Sequence, residues 1–437
     1  MKWGNVRGFF GLKDIHLKRN LRRRFFKPAR QRLQIVAARA YRRVLGIVGP
    51  TCFIGVTGSC GKTTACELLA AVLSRQGKTR CGIGANATDA VAETVLMVRP
   101  WHDFCVNEVS AHQLGVIGAS VKVLRPEIAV VTNINGDHYG EYRSLEATAA
   151  EKVKLVESLR PDGVAVLNRD DEYVYSMRHR TKGLVLTYGL HKDADVRAEN
   201  VSSEWPHRLS MDVFFKGKSS RVQTQLLGEH WKEAVLAALS AALAAGVPLE
   251  RIVEAIASVE PIPSRMSEHV TPDGVTFLRD DFKAPYWTVP ACIEILRNAR
   301  ANRKILVLGS ISDTPKSHWE RQKAIIRQAR GVADKIVFVG NYARSALKAG
   351  TGPEDDCIMA FGTLLDFDLW LQGYLQSGDL VMLKGARRGD HFDRLVLSRT
   401  NNMVCWRQDC RKDRFCHACR HHNTPAAPAD PVPVAGR

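Results

Sequence analysis

Residues 55–64 read Gly-Val-Thr-Gly-Ser-Cys-Gly-Lys-Thr-Thr, between an apolar run at Cys52–Val56 and a helical pattern over Thr63–Gln76. Gly58, Ser59 and Gly61 let the backbone wrap closely around an anion, and successive amides at a helix N-terminus hold negative charge. Lys62 neutralises that charge, and Thr63 or Thr64 can place a hydroxyl on Mg²⁺. The strict P-loop spacing would put its first glycine at position 56, which is Val56. The stretch is therefore a variant P-loop, and the chemistry it points to is phosphate binding.

A P-loop does not by itself separate a kinase from an ATPase or a ligase. Further polar residues follow at the ends of strand-like runs: Asn107-Glu108-Val109-Ser110 and Thr132-Asn133-Ile134-Asn135-Gly136-Asp137-His138. Glu108 and His138 are ligand types suited to a divalent cation that bridges a phosphate and a substrate carboxylate. Lys152, Leu167-Asn168-Arg169-Asp170-Asp171, Arg265, Asp281-Phe282-Lys283-Ala284, Leu308-Gly309 and Lys384-Gly385-Ala386-Arg387 come after them in order. Lys283 and Arg265 are cationic donors of the kind that stabilise charge on a transferring phosphoryl group.

Over roughly residues 50–400 this series resembles the Mur ligase family, and most closely its D-Ala-D-Ala-adding branch. The resemblance implies an ATP- and Mg²⁺-dependent ligase that joins a carboxylate to the amine of an amino acid through an acyl phosphate. It implies Lys62, Glu108, His138, Lys152 and Lys283 as catalytic residues, with Lys152 carbamylated to position a second Mg²⁺. Gly58, Ser59, Gly61, Lys62, Thr63, Thr64, Asn133, Arg265 and Asp281 are the implied nucleotide contacts, Asp281 toward the ribose. Thr63, Glu108 and His138 are the implied Mg²⁺ ligands.

Three departures stand out. Where the family has G-x-H-N-x-x-N, this chain has Gly228-Glu229-His230-Trp231-Lys232-Glu233-Ala234, so Trp231 and Ala234 replace both asparagines. Trp231 reads either as a base-stacking ring or as a core aromatic at a helix start. About 45 residues precede the ATPase segment, too few for a UDP-binding domain, so a carboxylate acceptor not linked to UDP is expected. The tail carries Cys405, Cys410, Cys416 and Cys419, a C-x4-C-x5-C-x2-C spacing that suits one structural Zn²⁺.

These residues need a scaffold, and the alternation of strand-like and helix-like runs supplies one: an α/β fold with parallel sheets. The expected organisation is a basic arm at 1–45 and a central P-loop ATPase domain at 46–260. A C-terminal Rossmann-like α/β domain at 261–400, a Cys-rich knuckle at 401–423 and a Pro/Ala tail at 424–437 complete it. Composition agrees with a globular chain, at 437 residues with 45% hydrophobic and 25% charged residues. The net charge of +18 is concentrated in residues 1–43, which hold 14 lysines and arginines against one acid, Asp14. With its interleaved Phe and Leu residues, that arm suits an anionic membrane surface or an acidic protein partner better than nucleic acid. Eleven cysteines and no secretory leader point to a reducing cytoplasm, peripheral to the membrane if the arm binds lipid. A catalytically silent nucleotide-binding scaffold is the competing reading.

Overall fold

The computed structural model describes residues 27–84, 87–110, 113–136, 139–349, 356–400, 405–408, 410 and 412–421. The chain divides into two compact units, one of residues 1–134, 146–196 and 234–252, the other of 135–145, 197–233 and 253–437. The first 26 residues, where most of the basic arm falls, lie outside the described residues, as does the Pro/Ala tail.

In the first unit, β1 (Cys52–Thr57), β2 (Thr79–Gly82), β3 (Phe104–Glu108), β4 (Ile128–Val131), β5 (Val164–Asn168) and β6 (Leu184–Gly189) lie in the order β2-β3-β1-β4-β5-β6. All of these neighbours are parallel. Parallel strands need crossover connections and are covered on both faces, so their sequences read as apolar runs. Ile128-Ala129-Val130-Val131 is buried at every position. Helix α1 (Lys27–Val48) precedes β1, and the crossovers run through α2 (Lys62–Ser74), α3 (Thr88–Met97), α4 (Val116–Leu124) and α5 (Leu145–Glu157). The Ala-rich run and its companion form α6 (Lys232–Ala244) and α7 (Leu249–Ile256). The chain reaches β3 on one side of β1 and β4 on the other. That reversal opens a crevice at the carboxyl end of β1, the place where open α/β sheets take ligands.

Helix α1 docks on this unit through one buried arginine. Arg42 is 4% exposed; its Nε donates to the Leu124 carbonyl at 2.8 Å and its terminal nitrogen to the Arg125 carbonyl at 2.9 Å. The same guanidinium pairs with Glu127 and lies over the Phe53 ring at 3.8 Å. A cation at the open carbonyls of α4 answers the negative end of that helix. Ala38 and Leu45 are buried on the docked face, whereas Leu33, Val36 and Ile47 are exposed.

In the second unit, β7 (Val196–Ser202), β8 (Ser210–Phe215) and β9 (Lys218–Gln223) run side by side, with β8 and β9 antiparallel. The parallel alternation expected from sequence does not extend here. Lys216 and Gly217 both have positive φ, 47° and 76°, the two-residue turn that closes a hairpin. A separate sheet follows, ordered β10 (Ser267–Val270), β11 (Thr276–Asp280), β15 (Leu380–Lys384), β12 (Lys304–Leu308), β13 (Lys335–Val339), β14 (Ile358–Phe361). Only β10 is antiparallel to its neighbour. Helices α8 (Val289–Asn298), α9 (His318–Ala329), α10 (Leu364–Tyr374) and α11 (Asp393–Thr400) belong with it. Ser317 and Glu320 form a capping box that starts α9. Phe277, Val307, Val337 and Val381 from the strands meet Phe367, Leu371 and Leu395 from the helices in one buried cluster. Among the described residues, no helix is long and apolar enough to cross a membrane.

Candidate functional site

β1 delivers the loop at Gly58 and Gly61 restarts the chain as α2. Gly58 has φ +146°, and a Cβ there would lie 1.8 Å from Thr132 Oγ1. Gly61, at φ 75°, is the left-handed residue that turns into α2; a Cβ there would lie 3.3 Å from the Ala234 Cβ, because α6 passes close to the loop. Only glycine fits the first position, and the left-handed turn favours it at the second.

The end of β4 holds the loop in shape. The Ser59 amide donates to the Asn133 carbonyl and the Cys60 amide to Asn133 Oδ1, each at 2.8 Å. Thr132 Oγ1 donates to the Cys60 carbonyl at 2.6 Å. Thr132 is itself fixed, because Asn168 Nδ2 and the Tyr188 hydroxyl both donate to its carbonyl, at 3.0 and 3.3 Å. Asp171 accepts from the Ile134 amide at 2.7 Å. Lys62 curls over the loop and donates to the carbonyls of Gly58 at 2.6 Å and Ser59 at 3.3 Å.

Glu108 ends β3 beside this loop, in register with Val56. It is 3% exposed, and its Oε2 accepts from Thr63 Oγ1 at 2.9 Å and from the Gly84 amide at 3.1 Å. A buried carboxylate and a hydroxyl at a P-loop are oxygen ligands of the kind a small divalent cation takes. Thr64 Oγ1 is buried with no hydrogen-bond partner, another oxygen that a ligand at the loop would satisfy. The residues present therefore fit both a nucleotide phosphate and Mg²⁺.

The first unit thus gathers Gly58, Ser59, Gly61, Lys62, Thr63, Thr64, Glu108 and Asn133 at one strand edge. Lys152, on α5, is 1% exposed within this unit, where a surface lysine would be open to solvent. His138 lies outside the described residues.

Arg265, Asp281 and Lys283 belong to the second unit. Asp281 is 1% exposed, and its carboxylate accepts from Arg279 through both oxygens at 3.3 and 3.0 Å. The Arg265 guanidinium lies over the Phe282 ring at 4.6 Å. Lys283 is exposed, while its carbonyl accepts from the buried Lys384 ammonium at 3.2 Å; Lys384 also pairs with Asp280. Asp390 joins the ends of β12 and β15, accepting from the Ser310 amide and hydroxyl at 2.9 and 2.7 Å and from the Ala386 amide at 2.6 Å. Burial pushes its carboxyl up and those hydrogen bonds pull it back.

Trp231 is 5% exposed, in the 3-10 turn before α6, so it is the core aromatic of the two sequence readings. His230 stands 4.6 Å from it, ring to ring. Burial lowers the imidazole pKa to about 4, with Asp280 opposing and Lys384 reinforcing.

The cysteine expectation requires correction. Among the described residues, Cys405, Cys410, Cys416 and Cys419 do not form a metal-sized group; the group that does form is His391, Asp393 and Cys416. Cys405 and Cys416 are buried but Cys410 and Cys419 are only half-buried, because the tail docks on residues 391–394 instead of folding around itself. Sequence reasoning also missed Gly84 and Tyr188, whose only signals are their places after β2 and at the end of β6.

A model of the Mur ligase middle domain matches residues 56–242. Among curated proteins, the UDP-N-acetylmuramoyl-tripeptide--D-alanyl-D-alanine ligase of Mycobacterium tuberculosis (strain ATCC 25618 / H37Rv) is 31% identical over 302 residues, 67% of this chain and 59% of that one. The ligase of the same name from Synechocystis is 29% identical over 340 residues, 76% and 71% of the two chains. The chain thus spans 59% of the length of the first curated relatives it matches. A crystal structure of MurF from Acinetobacter baumannii superposes with a TM-score of 0.76 at 26% identity, covering 84% of this chain and 80% of that one. The MurF ligase from Thermotoga maritima in complex with ADP shares the fold, with a TM-score of 0.71 at 19% identity, covering 82% and 80%.

Proposed function

This chain belongs to the Mur ligase family, and we propose that it joins a carboxylate to the amine of an amino acid or short peptide with hydrolysis of ATP to ADP and phosphate. The observation that carries this reading is the pairing of Thr63 with buried Glu108 at the mouth of a P-loop already clamped by Asn133.

In the proposed reaction a carboxylate oxygen attacks the terminal phosphorus, ADP leaves, and the amine nitrogen attacks the acyl carbon as phosphate departs. The loop amides and Lys62 hold the phosphates, since a preformed cradle of N–H groups needs no reorganisation when charge shifts. Thr63 and Glu108, with His138 by resemblance, would hold Mg²⁺, whose charge screens the triphosphate from the incoming anion. Lys152 is proposed as the carbamylated residue, and its burial in the first unit supports that reading. Arg265 and Lys283 are proposed as cationic donors to the transferring group.

The acceptor is proposed to be a carboxylate not linked to UDP. The exposed Leu33, Val36 and Ile47 on α1, at the C-terminal end of the basic arm, support a role against an anionic surface or acidic partner. The eleven cysteines, an odd number, support a reducing, cytoplasmic site of action.

The test is product formation by the full chain with ATP and Mg²⁺ across matrices of carboxylates and amines, UDP-linked muramoyl peptides included. ADP release that requires both partners, with a condensed product by mass, is expected. Nucleotide binding with no turnover for any pair would favour the silent scaffold.

A further inference from the structure

The tail of the chain encloses a group that the ligase reading does not use. His391 begins the segment in a left-handed conformation, φ 50°, and its Nε2 lies 2.7 Å from the Cys410 carbonyl. A carbonyl only accepts, so Nε2 carries the hydrogen, and in the neutral ring Nδ1 is then the acceptor nitrogen. Nδ1 stands 3.6 Å from Cys416 Sγ. Asp393 is 2% exposed; its Oδ2 accepts from the Cys416 amide, while its Oδ1 is buried with no hydrogen-bond partner.

We propose that His391, Asp393 and Cys416 bind a zinc ion that fastens the tail to the second unit. Their ligand atoms all lie within 4.8 Å of one another, and all three residues are buried. With metal–sulfur and metal–nitrogen distances of about 2.3 and 2.0–2.1 Å, tetrahedral geometry separates the two donors by about 3.5 Å; the observed Nδ1–Sγ separation of 3.6 Å matches. Histidine ligands characteristically donate their second ring N–H to a carbonyl or carboxylate, as His391 does to Cys410. A carboxylate oxygen buried without a partner is costly, and a cation removes that cost. The mixed nitrogen, sulfur and oxygen set suits zinc better than a hard oxygen-seeking ion. Arg394 Nε, 3.4 Å from Cys416 Sγ, donates to the sulfur from outside the ligand set. On binding, the Cys416 thiol proton leaves to solvent. The fourth position is met by water.

Metal analysis of the full chain, purified reduced and without chelator, is expected to find about one zinc per chain. His391→Gln and Cys416→Ser should each lower zinc affinity at least about tenfold. Because removing a ligand can also unfold the tail, Co²⁺ is also titrated into the chelator-stripped wild-type chain. One equivalent should give tetrahedral bands with a thiolate-to-cobalt charge-transfer band, displaced by Zn²⁺. A wild-type chain that carries no zinc and takes up no Co²⁺ would overturn the proposal. So would a Co²⁺ complex with no thiolate band, or a folded Cys416→Ser variant that keeps its zinc.

Discussion

Thr63 Oγ1 donates to Glu108 Oε2 across 2.9 Å, tying the first turn of α2 to the end of β3. Because the Gly84 amide donates to the same oxygen, the carboxylate is held in place before any ligand arrives. Glu108→Gln keeps the shape and removes the charge. It should lower Mg²⁺-dependent ADP release by about 100-fold or more while leaving the melting curve near wild type. Thr63→Ser should retain most activity and Thr63→Ala should not; steady-state ADP release at saturating Mg²⁺ separates them.

Gly58→Ala places a methyl 1.8 Å from Thr132 Oγ1 and 3.1 Å from its backbone nitrogen. The loop must move away from Asn133, and nucleotide affinity should fall by at least about tenfold, 1.4 kcal/mol. Pairing it with Thr132→Ala removes the hydroxyl clash alone, so calorimetric ATP titration should show partial recovery. Full recovery would mean that the Thr132 hydroxyl is the whole obstacle.

Arg42→Met deletes the buried cation that joins α1 to the end of α4 and leaves Glu127 without it. Removing one partner of a fully buried pair costs about 3–5 kcal/mol. Glu127 keeps 30% of its side chain exposed, so about 2–3 kcal/mol is expected. Urea unfolding measures it, and a loss under about 0.5 kcal/mol would place this contact among ordinary surface substitutions.

His230 links stability to pH. Its folded pKa, about 4, lies below the ordinary value of about 6.5, so the unfolded chain binds more protons between these values. Stability from the neutral ring is complete above about pH 6.5 and is lost as pH falls toward 4. A fully enclosed ring would contribute about 3 kcal/mol; the residue as a whole is half-buried, and solvent screening reduces this to about 1–2 kcal/mol. His230→Gln should flatten the stability profile across that window, and an unchanged slope would contradict the assignment.

The P-loop and its flanking strands were legible because parallel strands buried on both faces need uninterrupted apolar runs, and a left-handed turn into a helix needs glycine. Cys52–Thr57, Lys304–Leu308 and Lys335–Val339 fall where those runs predict. The β8–β9 hairpin was missed because its signal is two residues, Lys216 and Gly217, inside a polar stretch. The cysteine spacing drew attention to the tail, but His391 and Asp393 sit 25 and 23 residues before Cys416, at a turn and a helix start without ligand spacing. Tyr188 was invisible for a similar reason: a tyrosine ending an apolar strand reads as core, and its hydroxyl contact with β4 exists only once β5 lies between them.

The central claim is that a substrate carboxylate, and not water, attacks the terminal phosphate of ATP. The most direct measurement uses the acceptor found in the pairing screen, labelled with ¹⁸O in its carboxylate, and reads the label in released phosphate by mass spectrometry. Carboxyl activation predicts one ¹⁸O transferred to phosphate for each amide bond formed. Phosphate that carries only solvent oxygen, alongside ADP release, would contradict the account and leave the P-loop as that of a hydrolase.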